Sequence, residues 1–359
     1  MPKARVVVGM SGGVDSSVAA LLLQQQGYEV VGVTLRVLPD VGGTQESSFD
    51  TENDPSVVRA KAIAEKLGIE HHVANCSAAF TDEVLKRCHA DFSHARTPNP
   101  CCYCNRFIKF GWMMDYAKSL GADFLATGHY VRIEEVDGTR RLMRGRDPGK
   151  DQSYFLFWVP DERRNHVLTP LGTYVKSEVR EIAEQNGFVN AKAGDSQDIC
   201  FDIYGSQYTE FLKNRFGEMT RPGRFVDEKG KVWNTHDGFH KYTVGQRKGL
   251  GVAIGVPAFV KHVDPQTGDI LVTGDKSAVC FDRVEMVNCE WHGGSRAIGE
   301  SFRAEGMVRY RQKPVACEVT VVDTNKAIAV FDEPLFAVTP GQCAVFYDGD
   351  MVLGGGQIV

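Results

Sequence analysis

RVVVGMSGGVDSSVAALLLQQQGYE, residues 5–29, decides the fold. Residues 5–9 form a short β-branched run, the next four are a Gly/Ser turn, and the stretch that follows is apolar at helical spacing until Gly27. Strand, glycine turn and helix in that order open a parallel α/β unit. Working outward, EVVGVTLRVL supplies a second strand, and residues 39–54 (PDVGGTQESSFDTEND) read as a polar loop. PSVVRAKAIAEKLG reads as a helix, EHHVAN as a strand, and a further helix runs through CHADF. A cysteine loop, a helix from about Asn105 to Leu120 and the strand ADFLATGHY complete the pattern. The alternation predicts an α/β fold: a doubly wound, mostly parallel sheet whose site lies at the carboxyl ends of its strands.

After about residue 205 the texture changes. Asp/Gly turns (VDEKGKVW, VDPQTGDILVTGD, VFDEP, FYDGD) recur between Val-rich alternating stretches, the pattern of small antiparallel β domains. The expected organisation is an N-terminal α/β domain over 1–205, a small β-rich domain over 206–275 and a C-terminal β-barrel over 276–359. A chain of 359 residues exceeds what one ordinary core supports.

No apolar run approaches the roughly 20 residues that span a bilayer, and MPKARVVVGM lacks the apolar stretch of a signal peptide, so a cytoplasmic protein is expected. In that reducing setting ten cysteines are not a disulfide framework, and any that cluster point to metal, redox or catalytic chemistry. Cys76, Cys88, Cys280, Cys289, Cys317 and Cys343 are isolated and read as packed thiols. A net charge of -5 argues against a protein that coats nucleic acid indiscriminately, while leaving room for local basic faces.

The turn GMSGGVDSS, residues 9–17, lets backbone N–H groups converge on an anion at the positive end of a helix. It lacks the spacing and lysine of a Walker A loop. The string resembles the signature of pyrophosphatase-loop ATP enzymes, which adenylate a carbonyl oxygen. That resemblance implies a nucleotide site from Gly9, Met10, Ser11, Gly12 and Gly13 through Val14, Asp15 and Ser16, with Asp15 helping to hold Mg²⁺.

PNPCCYCN, residues 98–105, places Cys101 and Cys104 as a Cys-x-x-Cys pair at the mouth of a helix, and Cys200 lies far downstream in GDSQDICFD. A structural zinc site wants four good ligands, and neither a second Cys-x-x-Cys nor a paired His is present. A thioredoxin-like pair wants the motif after the first strand.

TPNPCCYCNRFIKFG, ATGHY, DQSYFLF, DSQDICF, YTVGQRKGLG, VRYRQKP and AVTPGQCAVFYDGDMVLGGG together resemble the tRNA-specific 2-thiouridylase family, over residues 6–358. The resemblance implies an adenine nucleotide alpha-hydrolase-like N-terminal domain, ATP as co-substrate, and replacement of the 2-oxygen of a wobble uridine (tRNAs of the Lys, Glu and Gln type) by sulfur. It places the nucleophile on Cys104 and the persulfide carrier on Cys200. The terminal sulfur would attack the adenylated C2, and Cys104 would release it, leaving a Cys104–Cys200 disulfide for a reductant to reopen. A sulfur-relay protein or cysteine desulfurase would load Cys200. Members of the family carry Asp or Cys at the place of Cys101. With cysteine there, Cys101, Cys104 and Cys200 would also suit a [4Fe–4S] cluster, and both chemistries stay open. Cys102 reads as a spectator.

By the same resemblance Leu35 lies against adenine and Gly128 beside the adenylate, while Asn99, Pro100 and Cys101 surround the flipped base. His129 has either a hydrogen-bonding or a catalytic role. RRLMRGRDPGK (140–150) carries five basic residues against one acidic, and RAEGMVRYRQK (303–313) four against one. Each run is either a solvated face or a tRNA contact, and the resemblance places tRNA contacts on Lys150, Asp151, Gln152, Arg309 and Tyr310. No contact with DNA or membrane is expected. Two other readings compete: a pyrophosphatase-loop ligase acting on small molecules, which would not need Cys104 and Cys200, and a noncatalytic metal-bearing RNA-binding protein, which would not need SGGVDSS.

Overall fold

The structure, a computed structural model, describes residues 3–38, 54–191 and 208–359. The loop expected at 39–54, except its last residue, and the DSQDICF string with Cys200 lie outside the described residues. The chain divides into two compact units, one of Met1–Val84, Cys101–Phe201 and Asp350–Val352, the other of Leu85–Pro100, Asp202–Gly349 and Leu353–Val359. Segment 85–100 thus belongs with the β-rich part of the chain, which a linear reading from the sequence does not anticipate.

The first unit contains strands β1 (Arg5–Gly9), β2 (Glu29–Arg36), β3 (Glu70–Asn75) and β4 (Phe124–Ala126), a hairpin of β5 (Val131–Val136) and β6 (Thr139–Arg144), and β7 (Val167–Leu168). Its central sheet is parallel in the order β3-β2-β1-β4-β7. The order reverses between β1 and β4, which is where open α/β sheets leave a crevice at the strand ends. Val6, Val7 and Val8 of β1 are fully buried, as a strand covered on both faces requires.

Helix α1 (Val14–Gln25) leaves β1 through the glycine turn and buries Val18, Ala19, Ala20 and Leu23. Helix α2 (Pro55–Leu67) begins with Pro55 behind Asp54, whose carboxylate accepts from the Ser56 amide at 2.7 Å, and stops at Gly68 with φ 66°. N-cap, early proline and left-handed glycine are the local signals that bound a helix. Next come α3 (Ser77–Phe80), then α4 (Lys86–Ser93), which belongs to the second unit, then α5 (Pro100–Tyr103), a π-helical stretch Cys104–Trp112 and α6 (Met113–Ser119). The sequence expectation of a helix starting near Asn105 is corrected: it starts at Pro100, whose fixed φ and missing N–H suit a first helical position. Strand β4 is also shorter than the expected ADFLATGHY and ends at Ala126; beyond it Gly128 packs against the start of α1. Helices α7 (Ser153–Leu156), α8 (Asp161–Arg164) and α9 (Lys176–Gln185) finish this unit, and α10 (Tyr208–Phe216) follows in the second.

In the second unit β8 (Gly223–Val226), β9 (Val232–His236), β10 (Phe259–Val263) and β11 (Ile270–Thr273) form a sheet in the order β10-β11-β8-β9 around Phe225, Phe239, Val260 and Ile270. It is not purely antiparallel, because β11 and β8 pair in parallel. Strands β12 (Cys280–Trp291), β13 (Ser301–Met307), β14 (Val315–Asp323), β15 (Lys326–Phe336), β16 (Cys343–Asp348) and β17 (Met351–Ile358) close into a six-stranded barrel through the β12–β17 pair. Closure removes the open edge that a lone sheet would expose. Along β14, Cys317, Val319 and Val321 point inward and Glu318 outward, the period-2 pattern of a barrel wall.

Candidate active site

At the β1/β4 switch point the glycine turn is held by side chains from four directions. The Met10 amide donates to Val33 O at 2.8 Å and Met10 O accepts from Thr34 Oγ1 at 2.7 Å, which pins the start of the turn to β2. Met10 itself is 1% exposed and Val14 5%, so both anchor the loop by packing and leave ligand contact to backbone groups. Gly12 has φ +71°, and a Cβ there would lie 2.4 Å from Ser56 O, so conformation and space both demand glycine. Its carbonyl accepts from Arg59 Nε at 3.3 Å and Asn190 Nδ2 at 2.9 Å. Ser16 Oγ accepts from the Ser11 amide and donates to Gly13 O, at 3.2 and 3.1 Å. The first amides of α1 have no carbonyl one turn earlier, so the turn ends in a cradle of donors suited to an anion.

Asp15 sits on the first turn of α1. Lys176 Nζ, at the start of α9, donates to both of its carboxylate oxygens at 2.7 and 2.8 Å, and Tyr130 O–H donates to Oδ1 at 2.6 Å. Lys176 is in turn fixed by its amide, which donates to Asp147 Oδ2 at 2.9 Å. A cation at a helix N-terminus opposes the helix dipole, so the fold places Lys176 there against an electrostatic preference and beside the anion cradle. The sequence reading missed Lys176, Tyr130, Asn190 and Arg59. Gly128 packs against the same turn: a Cβ would lie 2.8 Å from Asp15 C and 2.9 Å from Ser16 N. Leu35 is half-buried at the end of β2.

Three of the four cysteines singled out are described. Cys101 is partly exposed, Cys102 fully buried and Cys104 7% exposed. Cys101 and Cys104 are neighbours on one helical face, and Cys104 opens the π-helical stretch, one turn inside the helix rather than at its mouth. Wide turns of this kind recur at functional sites. Carbonyl clamps fasten that stretch. Asn105 Nδ2 donates to Phe155 O at 3.1 Å and Arg106 Nη1 to Trp158 O at 2.8 Å, while Tyr103 stacks on Trp158 at 5.8 Å. Cys102 packs within 4.0 Å of Tyr154 O. Elsewhere, burial pushes the Cys76, Cys289 and Cys317 thiols up to about 12, which makes them inert.

His129 is buried. Burial first, and the neighbouring Lys109 ammonium second, hold its imidazole well below the usual value. Its Nδ1 lies 2.8 Å from Thr127 Oγ1 and its Nε2 3.4 Å from Lys109 Nζ. A neutral ring with Nδ1–H toward Thr127 and Nε2 accepting from Lys109 satisfies both contacts, a hydrogen-bonding role.

In the run 140–150 the arginines are largely committed inside the unit. Arg140 donates to Asn165 O and Val167 O at 2.7 and 2.9 Å, Arg144 approaches Asp151 at 3.5 Å and Arg146 pairs with Glu178 at 3.2 Å. Asp151 accepts from the Gly145 and Ser153 amides at 2.9 and 3.1 Å. Asp151 therefore shapes the loop that presents Lys150 and Gln152. Gln152 grips the Tyr130 backbone at two points: its Oε1 accepts from Tyr130 N at 2.9 Å and its backbone N–H donates to Tyr130 O at 3.2 Å.

In the second unit Asn99 and Pro100 are buried. The strap ahead of them is held by the barrel: Gln342 Nε2 donates to Thr97 O and Pro98 O at 2.9 and 3.1 Å, and the Thr97 amide to Pro340 O at 2.8 Å. Arg309 is exposed on the turn after β13, 6.0 Å over the Phe336 ring, and Arg311 lies 5.3 Å over Tyr310. Among the described residues no group of three His, Cys, Asp or Glu side chains is placed to hold a metal. Nor, among them, is any helix long and apolar enough to cross a membrane.

Family models match three consecutive blocks: a tRNA methyl transferase HUP domain over residues 4–203, a tRNA methyl transferase PRC-barrel domain over 209–274 and an aminomethyltransferase beta-barrel domain over 281–358. An anion loop at the switch point of a parallel sheet, followed by two β modules, makes this a HUP-domain protein. The chain belongs to the tRNA-specific 2-thiouridylase family. It is 42% identical over 359 residues to the tRNA-specific 2-thiouridylase MnmA of Carboxydothermus hydrogenoformans, covering 99% of this chain and 97% of the relative. MnmA of Heliobacterium modesticaldum is 44% identical over 362 residues (99% and 93% covered), and MnmA of Geotalea uraniireducens 42% over 358 (99% and 94%).

Proposed function

We propose that this chain is an ATP-dependent tRNA-uridine 2-sulfurtransferase that converts the wobble uridine of tRNAs of the Lys, Glu and Gln type to 2-thiouridine, releasing AMP and pyrophosphate. The observation that carries the reading is the full-length similarity to 2-thiouridylases, joined to an anion cradle and a Cys-x-x-Cys face within one compact unit.

In this reading the amides of the turn Ser11–Ser16 receive the β and γ phosphates, with Leu35 and Gly128 bounding adenine and adenylate. Asp15, whose two oxygens Lys176 and Tyr130 hold, would offer a carboxylate to Mg²⁺ once Lys176 turns to the phosphates, and the ion would supply neutralisation of charge on the leaving pyrophosphate. The uridine C2 oxygen attacks the α phosphorus and becomes an adenylate. The terminal sulfur of a Cys200 persulfide adds to C2 and AMP departs. Cys104 thiolate then attacks the Cys200 sulfur, which frees C2=S and leaves a Cys104–Cys200 disulfide; a thiol reductant supplies two electrons to reopen it. A sulfur-relay protein or cysteine desulfurase in the cytoplasm reloads Cys200. Asn99, Pro100 and Cys101 enclose the base, and Lys150, Asp151, Gln152, Arg309 and Tyr310 contact the RNA. Cys101 and Cys104 are two of the three thiols of the alternative [4Fe–4S] chemistry, and the steps above need no cluster.

The test is a reaction of purified protein, ATP, Mg²⁺, unmodified tRNA and a persulfide donor, read as 2-thiouridine by nucleoside mass spectrometry. Product in wild type and none in Cys104→Ser or Cys200→Ser is expected. AMP release from a small-molecule substrate, indifferent to both substitutions, would point instead to a ligase.

A further inference from the structure

We propose that Tyr130 is a positioning residue that transmits RNA occupancy at the Lys150–Gln152 loop to Asp15 of the nucleotide turn. The inference rests on the functional reading above, which makes that loop an RNA contact and that turn a nucleotide site.

Tyr130 is 3% exposed and lies between the two sites. Both polar groups of its backbone are bonded to one residue, Gln152, at 2.9 and 3.2 Å. Its phenol donates to Asp15 Oδ1 at 2.6 Å, a charge-assisted bond to a carboxylate that Lys176 grips from the other side. The Gln152 loop is pressed onto the same peptide: a Cβ on Gly145 would lie 2.4 Å from Tyr130 O. Two residues earlier, Gly128 abuts the backbone of Asp15 and Ser16. An RNA strand that immobilises Gln152 therefore immobilises the Tyr130 peptide, and through the phenol the side chain at the mouth of the anion cradle. Ordering already supplied by one ligand need not be supplied by the other, so the two bind with positive coupling. Reciprocity requires ATP to tighten RNA binding by the same factor. Burial of the ring alone would be served by phenylalanine; only the hydroxyl reaches Asp15.

The experiment is calorimetric titration of the full chain with α,β-methylene-ATP, which cannot be cleaved at that bond, with and without unmodified tRNA transcript. In wild type the RNA should tighten the nucleotide about fivefold or more, the low end of common coupling factors. Tyr130→Phe should reduce that ratio to below about twofold, whatever its effect on the affinity for the nucleotide alone. Gln152→Met removes the side-chain bond to Tyr130 N and leaves the backbone bond to Tyr130 O, and the ratio should fall there too, whatever happens to RNA affinity itself. Wild type binding both ligands with a ratio near one would overturn the inference and leave the functional reading standing. So would an unchanged ratio in Tyr130→Phe, or loss of the ratio in one variant only. Failure of wild type to bind either ligand would sink the functional reading, and the inference with it.

Discussion

The nucleotide turn and the cysteine helix both hold a reactive group still, and they do so by different means. The turn is built mostly by its own neighbourhood: β1 delivers it, Gly12 bends it, Ser16 and Ser17 close onto Gly13 O at 3.1 and 3.0 Å, and α1 presents its amides. The cysteine helix has a proline start and a wide π-helical course, and its position depends on carbonyls some fifty residues away, Phe155 and Trp158. In the proposed reading the turn meets a ligand's charge with backbone groups, so local geometry suffices. In the same reading Cys104 has to meet a thiol from another part of the chain, and such a group needs its orientation fixed from outside.

If the two regions have separate tasks, they should fail separately. Cys104→Ser should lower 2-thiouridine formation by about a thousandfold or more, as loss of a covalent-catalysis residue commonly does, with ATP affinity within about twofold of wild type. A parallel loss of ATP binding would break the division of labour. Gly12→Ala should do the reverse. A side chain at φ +71° with a backbone oxygen 2.4 Å away costs about 1–3 kcal/mol and displaces the cradle. ATP affinity should fall about tenfold or more, a loss of about 1.4 kcal/mol in binding, while alkylation of Cys104 by iodoacetamide keeps its wild-type rate.

Asn105→Ala sharpens the second half of the comparison. It removes one carbonyl clamp and should lower unfolding free energy by about 1–2 kcal/mol in urea titrations. Thiolation should slow several-fold at unchanged ATP affinity; a wild-type rate would mean that the clamp does not orient Cys104.

The smallest expected effect is one of pH. His129 is held neutral with its folded pKa depressed from 6.5, so the unfolded chain binds the proton more readily. Its contribution to stability is full above about 6.5 and declines as pH falls toward the depressed folded value. His71, His236 and His240 are shifted the same way, chiefly by burial. Thermal melting at pH 7 and pH 5 should show a smaller drop in His129→Gln than in wild type.

The same contrast explains what was legible in the sequence. Strand, glycine turn and helix are encoded by contiguous residues, and the cap and stop of α2 by Asp54, Pro55 and Gly68. The α/β sheet, the change to β modules and the glycine turn between β1 and α1 could therefore be read directly. Lys176 could not: it meets Asp15 across 161 positions, and nothing near it in sequence marks it. Arg140 and Arg146 read as a basic face because their acceptors at Asn165, Val167 and Glu178 come from elements whose placement the local pattern does not give. Strand order in the second unit, with its parallel β11–β8 pair, is likewise a property of packing rather than of any one turn.

The central claim is that Cys104 and Cys200 act as a pair. A single turnover with persulfide-loaded protein, ATP and tRNA but no reductant, followed by non-reducing peptide mapping, tests it most directly. The account expects a Cys104–Cys200 disulfide in proportion to the 2-thiouridine formed. A full yield of 2-thiouridine with both thiols still reduced, and about four irons per chain in the active protein, would contradict it.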